Sequence, residues 1–284
     1  MRDPDLIRLD VEKRLPENLQ MTFFHSRHED KMAALLHLLG NVIKEDQKVV
    51  VFVATKHHVE LLRLVLMKYN YDPCYIYSSL DPAARKMMIQ RFRHEDEDPN
   101  KTSNLMIVTD IAARGIDIPL LDAVINFHFP SKAKLFVHRV GRVARAGRSG
   151  IAYSIVSNEE MPYLFDLFVF LGRPLSFCKD GDDGWDGRLG RYPQSVLDSQ
   201  AESLQRDIRE SNDIEQQWKS ANNGEKGYRR TREKAATESI TRAREIDVSA
   251  CAVHPLFGSE VAGWLLLNLL SLSLSLSFQL NRRY

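Results

Sequence analysis

Apolar residues recur along the first two-thirds of the chain in two alternating rhythms, and that alternation predicts the fold class. Met32, Leu35, Leu36, Leu38, Leu39, Val42 and Ile43 fall mostly on one helical face within residues 28–45, with Gly40 and Asn41 weakening the last turn. The unbroken apolar run over 49–54, bounded by Lys48 and Thr55, reads as a strand buried on both faces. Val59, Leu62, Val65 and Leu66 predict a second helix over 57–69, and residues 74–77 a second strand. A third helix fits 81–93. Asp81 can cap it, and Pro82 sits at the first helical position, where its missing N–H costs nothing. Residues 105–109, 123–127 and 151–156 supply three more strands. Strands separated by amphipathic helices join through right-handed crossovers into a parallel sheet, so residues 20–175 are expected to form one α/β domain.

Beyond Cys178 the rhythm fades. Gly181, Gly184, Gly187 and Gly190 recur among Asp180, Asp182, Asp183 and Asp186, which predicts a flexible connector over 176–195. From 196 to 257 the chain reads as a basic helical extension in which Val196, Leu197, Leu204, Ile208, Ile214 and Trp218 can line one side of a helix. Residues 219–244 hold eight Lys or Arg against three Glu, 8 − 3 = +5, either a solvated helix face or an RNA-touching arm. Residues 258–284 form a low-complexity apolar tail, uncharged from 261 to 280 and alternating Leu with Ser. Twenty helical residues would span about 30 Å, the thickness of a bilayer core, but the serines weaken that reading and no membrane contact is expected.

Composition narrows the classes. With 284 residues, one or two domains fit; 44% hydrophobic and 27% charged residues exclude a wholly disordered or collagenous chain. Basic minus acidic residues is 39 − 38 = +1, so affinity for a polyanion must come from local clustering. Cys74, Cys178 and Cys251 are spaced for neither a disulfide framework nor a four-cysteine zinc site, and no metal-ligating set is read from the sequence; a reducing compartment is expected. The charged residues 1–10 are unlike a secretory signal.

Two segments carry candidate chemistry. Between Ala123 and Asn158 there are six Lys or Arg and no acidic residue, which suggests an anion arriving from elsewhere; generic polyanion binding is the plainer alternative. Within it, in His138-Arg-Val-Gly-Arg-Val-Ala-Arg-Ala-Gly-Arg148, Arg142 and Arg145 stand three apart, which on one helical turn places both guanidinium groups on the same side. Arginine binds phosphate through a planar fork and keeps its charge. The second segment is Thr109-Asp-Ile-Ala-Ala-Arg-Gly-Ile-Asp117, directly after a predicted strand, where ligands of open α/β sheets bind. Thr109 offers a hydroxyl, Gly115 a backbone N–H for a nucleic-acid phosphate, and Asp117 a carboxylate suited to ribose hydroxyls; Asp110 is read as capping the next helix and pairing with Arg114.

These segments resemble motifs V and VI of DEAD-box RNA helicases, usually TDxxARGxD and HRxGRxGR. Residues 51–55 resemble motif IV, and 77–85 the motif IVa region, in which Arg85 matches while Tyr77, Ser78 and Pro82 replace the usual His, Gly and Gln. Order, spacing and strand placement agree across about residues 6–177. Residues 228–232, 236–244 and 254–257, with Val143-Ala144 where most relatives have Thr-Gly, are similar to the C-terminal extension of nucleolar helicases that act on large-subunit ribosome precursors.

The resemblance implies a linker remnant (1–19), then a RecA-like parallel sheet sandwiched between helices, then a mostly helical or disordered extension. It implies ATP with Mg2+ and RNA, expected to be pre-ribosomal, and a nuclear, nucleolar setting. Arg142 and Arg145 would be catalytic arginines on the ATP phosphates, Asp117 would bind the ATP ribose, and Arg85, Thr109 and Gly115 would contact RNA. His138 would couple to the acidic motif of an N-terminal RecA-like domain. No GxxxxGK[ST] loop, Asp-Glu-Ala-Asp or Ser-Ala-Thr motif occurs in the sequence, so the chain is expected to be the C-terminal half of an ATP-dependent RNA helicase, inactive alone. Two alternatives stand beside it: a non-catalytic RNA- or protein-binding fragment, and a DNA helicase or translocase of the same superfamily, which the motif contexts disfavour.

Overall fold

The computed structural model describes residues 15–94, 102–116, 118–145, 147–182 and 184–258. Its strands are β1 (Leu19–His25), β2 (Val49–Val53), β3 (Cys74–Ile76), β4 (Leu105–Thr109), β5 (Ala123–Asn126), β6 (Gly150–Val156), β7 (Ser176–Phe177) and β8 (Arg188–Arg191). They form a single parallel sheet in the order β3-β4-β2-β5-β6-β1-β8-β7. The helices are α1 (Lys31–His37), α2 (Lys56–Lys68), α3 (Pro82–Arg93), α4 (Asp110–Ala113), α5 (Ala133–Val140), α6 (Met161–Leu171), α7 (Gln194–Glu210), α8 (Asn212–Thr231) and α9 (Thr237–Glu245). Every residue of β2 and β4 is buried, because both faces of the sheet are covered. Alternate β2 side chains enter opposite cores: Val50 and Phe52 pack with Phe129, Phe136 and Phe168, while Val49, Val51 and Val53 pack with α1 and α2. This is the parallel α/β domain expected from the strand–helix alternation, with the sheet sandwiched between helices as the RecA-like resemblance implies.

Several details follow the sequence signals. The Asp81 carboxylate accepts from the N–H groups of Ala83 and Ala84, with Pro82 opening α3. The helix expected over 28–45 is shorter and less regular. A 3-10 turn (His28–Asp30) precedes α1, and a π-helical turn (Leu38–Val42) containing Gly40 and Asn41 follows it. β1 was not anticipated, since Gln20, Thr22 and His25 break its apolar pattern, yet it runs between β6 and β8 near the middle of the sheet. Its buried Thr22 hydroxyl is satisfied by His254 Nε2 at 3.0 Å.

The acidic, glycine-rich segment is not a flexible connector: it supplies β7 and β8. Its aspartates make turn and edge contacts. Asp186 accepts from the Met21 N–H at 2.7 Å, and Asp182 accepts from the Lys179 N–H at 2.8 Å while pairing with Arg188. A side chain at Gly190 would stand 2.7 Å from the Cα of His254, so this glycine lets the 254–257 segment lie against β8. The extension joins the same core. α7 packs on α1, α8 on α2 and α9 on α6, burying Leu197, Leu204, Ile214 and Ala221. Ser211 breaks the expected single apolar helix in two and caps α8. Phe257 ends fully buried, 4.4 Å from the Tyr192 ring and 5.0 Å from that of Phe24. No helix of the described residues is long and apolar enough to cross a membrane; the 261–280 stretch and most of the 1–19 linker lie outside them.

Buried histidines give this packing a pH dependence. His37 contacts the Tyr192 hydroxyl at 2.7 Å, and burial pushes both His37 and His254 down to about 4. In the unfolded chain each takes a proton near 6.5; in the folded chain each resists it until about pH 4. The unfolded state therefore binds more protons between these values, so stability is full above pH 6.5 and falls as pH drops towards 4. Thermal melts between pH 7.5 and 4.5 should show a falling Tm, and His37→Gln should flatten the slope; a Tm independent of pH contradicts this.

Candidate functional site

The sheet's carboxyl edge is organised by one ion pair. Arg139, in the last turn of α5, is 3% exposed and grips Asp110, the first residue of α4, through both fork nitrogens: Nε to Oδ1 at 2.7 Å and Nη2 to Oδ2 at 2.8 Å. Its Nη1 donates to Asn126 Oδ1 at 2.8 Å and to the His128 carbonyl at 2.7 Å, and the guanidinium lies 4.8 Å from the Phe52 ring centroid. A buried charge is tolerated only when paired and hydrogen-bonded in this way. The α5 segment arrives there because Lys31, 1% exposed, ties the ends of β5 and β6 together. Its ammonium donates to the Phe127 and Ile155 carbonyls at 2.9 Å each and pairs with Glu160, which accepts from the Phe129 N–H at 2.9 Å.

Two readings are corrected here. Asp110 pairs with Arg139, not Arg114. The six cations between Ala123 and Asn158 are also less orphaned than the local sequence suggested, because carboxylates distant in sequence reach them: Asp110 at Arg139, Asp122 at Arg148 and Glu233 at Lys132. The sequence reading passed over Arg139. The signal was present, since Phe136, Arg139 and Val140 share the buried stripe of α5, and an arginine in such a stripe requires an acid.

Beside the pair opens a cleft of about 760 Å3 lined by Arg114, Gly115, Lys132, Lys134, His138 and Arg142, with Phe52, Ile116 and Leu121 among its apolar walls. Three of the expected site residues, Gly115, His138 and Arg142, therefore meet. Gly115 is exposed with φ of +71°, and a side chain there would touch nothing within 4 Å, so backbone conformation rather than crowding calls for glycine. Thr109 ends β4 as a buried residue at the mouth of α4, and Arg85 donates to the Ala112 carbonyl at 2.9 Å, tying α3 to the Asp110–Gly115 segment. Asp117 lies outside the described residues.

Arg142 and Arg145 do not share a helical turn. α5 stops at Val140 with Gly141 as its cap, and the chain continues as a loop pinned to Leu121 through Val143. Ala144 takes φ of +56° there, a left-handed conformation that favours glycine. Arg145 is exposed beyond that bend and does not line the cleft. Asp110, the one carboxylate among the described residues that line the cleft, is committed to Arg139, so these residues present basic side chains to an anion such as a triphosphate but no uncommitted carboxylate to a Mg2+ ion.

Residues 30–147 match the helicase conserved C-terminal domain. The ATP-dependent RNA helicase DDX54 of Mus musculus is 49% identical over 266 residues, covering 91% of this chain and 30% of the relative. The helicase dbp10 of Emericella nidulans is 39% identical over 307 residues, covering 92% and 32%. The crystal structure of the E. coli DEAD-box protein SrmB, bound to regulator of ribonuclease activity A, superposes with a TM-score of 0.52 at 28% identity, covering 64% of this chain and 95% of that one. Residues 30–147 are thus a helicase C-terminal domain, similar to those of DEAD-box proteins. The chain spans about a third of the length of these curated relatives. In this domain the segments that resemble motifs V and VI are one unit, bolted by Asp110–Arg139, and the segment that resembles motif IVa is attached through Arg85.

Removing half of that bolt should be costly. Arg139→Ala strands a carboxylate and should lower stability by about 3–5 kcal/mol. Arg139→Lys keeps the charge but loses the fork, and should cost about 1–3 kcal/mol. Urea unfolding of the chain measures both, and an Arg139→Ala loss below about 1 kcal/mol contradicts the assignment.

Proposed function

We propose that this chain works as the C-terminal half of an ATP-dependent RNA helicase that remodels RNA duplexes. The observation that carries the reading is the cleft beside the segments resembling motifs V and VI, lined by Arg114, Lys132, Lys134, His138 and Arg142, whose one acid among the described residues, Asp110, is satisfied by Arg139. A second RecA-like domain with a phosphate loop would hold ATP and Mg2+ and close against this edge. Arg142 and Arg145 would then meet the β- and γ-phosphates, Asp117 the ribose, and His138 the acidic motif of the other domain. Arg85, Thr109 and Gly115 would contact the RNA sugar–phosphate backbone, so closure bends one strand and parts the duplex locally. Arginine here stabilises charge on the transferring phosphoryl group, an effect of about 10³–10⁵ in rate once the phosphates are held.

The names of the relatives support an RNA substrate; the resemblance of the 228–232 and 254–257 segments to the extension of nucleolar helicases is what leads us to propose pre-ribosomal RNA and a nucleolar setting. The lack of a GxxxxGK[ST] loop favours a second reading, a non-catalytic RNA- or protein-binding module that competes with an intact helicase.

One experiment separates them. The chain alone should show no RNA-stimulated ATP hydrolysis, and adding the phosphate-loop domain of a close relative in trans should restore it. Arg142→Ala or Arg145→Ala should lower the restored rate by about 10³ or more. Family-like turnover by the chain alone, or no effect of either substitution, contradicts the proposal; inhibition of an intact relative by the chain supports the second reading.

A further inference from the structure

Helix α8 of the C-terminal extension crosses the cleft's supporting structure at a cluster the proposed function does not use. His58 in the first turn of α2, His128 just after β5 and Glu225 on α8 are all buried, and their facing polar atoms lie within 4.8 Å of one another beside a cavity of about 260 Å3. The spacing invites a metal, but His128 has no lone pair to give. Its Nδ1 accepts from the Ala54 N–H at 3.2 Å, and burial pushes it well below the usual histidine range, so the neutral ring carries its proton on Nε2. That Nε2–H is buried without a hydrogen-bond partner among the described residues. A Glu225 carboxylate oxygen lies within 4.8 Å of the ring nitrogens of this cluster, a separation of the size that a single bridging water spans.

Glu225 is held for this task. His28 Nε2 stands 2.9 Å and His58 Nε2 3.7 Å from Oε2, while Arg229 binds Oε1 at 2.9 Å. Burial alone would raise its carboxyl, but the hydrogen bonds from His28 and His58 outweigh that and keep it charged. At the other end of the same residue, the His128 carbonyl receives Arg139 Nη1 at 2.7 Å. Tyr228, on the next turn of α8, lies near enough to Asp110 and Arg139 to sense both charges.

We infer that Glu225 is a positioning residue: through His128 it sets the Arg139 guanidinium and with it motif VI, making the C-terminal extension a working part of the nucleotide cleft. This rests on the helicase reading for its functional arm alone. In the reconstituted ATPase, Glu225→Gln should lower kcat about tenfold with KM for ATP unchanged, and Glu225→Asp should restore part of the loss. In the chain alone, the Arg139 Nε–H signal in nitrogen–proton NMR should shift and exchange faster in Glu225→Gln, while Glu210→Gln on the exposed side of α7 leaves it unmoved. An unchanged kcat beside an unchanged Arg139 signal overturns the inference. If the wild-type mixture does not hydrolyse ATP, the helicase reading fails and the NMR signal alone decides the coupling.

Discussion

The Asp110–Arg139 pair is the constraint on which the site depends. A guanidinium buried to this degree has lost most of its hydration, and four hydrogen bonds with a stacked aromatic ring make up for it. Those partners come from β5, from the loop after it and from the start of α4, so satisfying one side chain fixes the relative position of three chain segments. Among the described residues it also commits the one acid that lines the cleft, beside Arg114, Lys132, Lys134 and Arg142, and the Arg142–Arg145 loop hangs from the end of the anchored helix.

Much of this was legible beforehand, and the reasons it was are local. β2 and β4 announce themselves as unbroken apolar runs because both their faces are covered, and Asp81-Pro82 marks a helix start by cap chemistry that needs no tertiary partner. Gly115, His138 and Arg142 were picked out as site residues with the help of the family resemblance, and the structure brings them to one cleft. What stayed hidden depended on residues far away in sequence. β1 carries Thr22, whose hydroxyl is acceptable in the core only because His254 arrives 232 positions later. The aspartates and glycines of 176–191 look like a flexible connector until β1 and His254 are there to meet them. The partner of Asp110 lies 29 positions on, beyond the reach of any window that favours Arg114. The assumption of a helical turn for Arg142 and Arg145 failed because α5 ends at Val140, two residues before the first of them.

The extension shows the same dependence. Its apolar positions are too sparse to predict more than a helix face, yet that face completes the core on α1 and α2, and its charged positions are spent on specific partners: Glu225 on three basic side chains, Glu233 on Lys132 at the cleft rim, and Arg232 on the Tyr163 ring and the Glu159 carbonyl. A charge run read in isolation as a solvated face or an RNA arm is, for these residues, the means by which the extension is fastened beside motifs V and VI.

The most direct measurement is a structure of this chain closed on a phosphate-loop domain with RNA and a non-hydrolysable ATP analogue. The account predicts the Arg142 and Arg145 guanidinium nitrogens at about 2.7–2.9 Å from β- or γ-phosphate oxygens, with Arg139 still locked on Asp110. Side chains at 142 and 145 turned from the nucleotide, or closed onto carboxylates of this chain, contradict it.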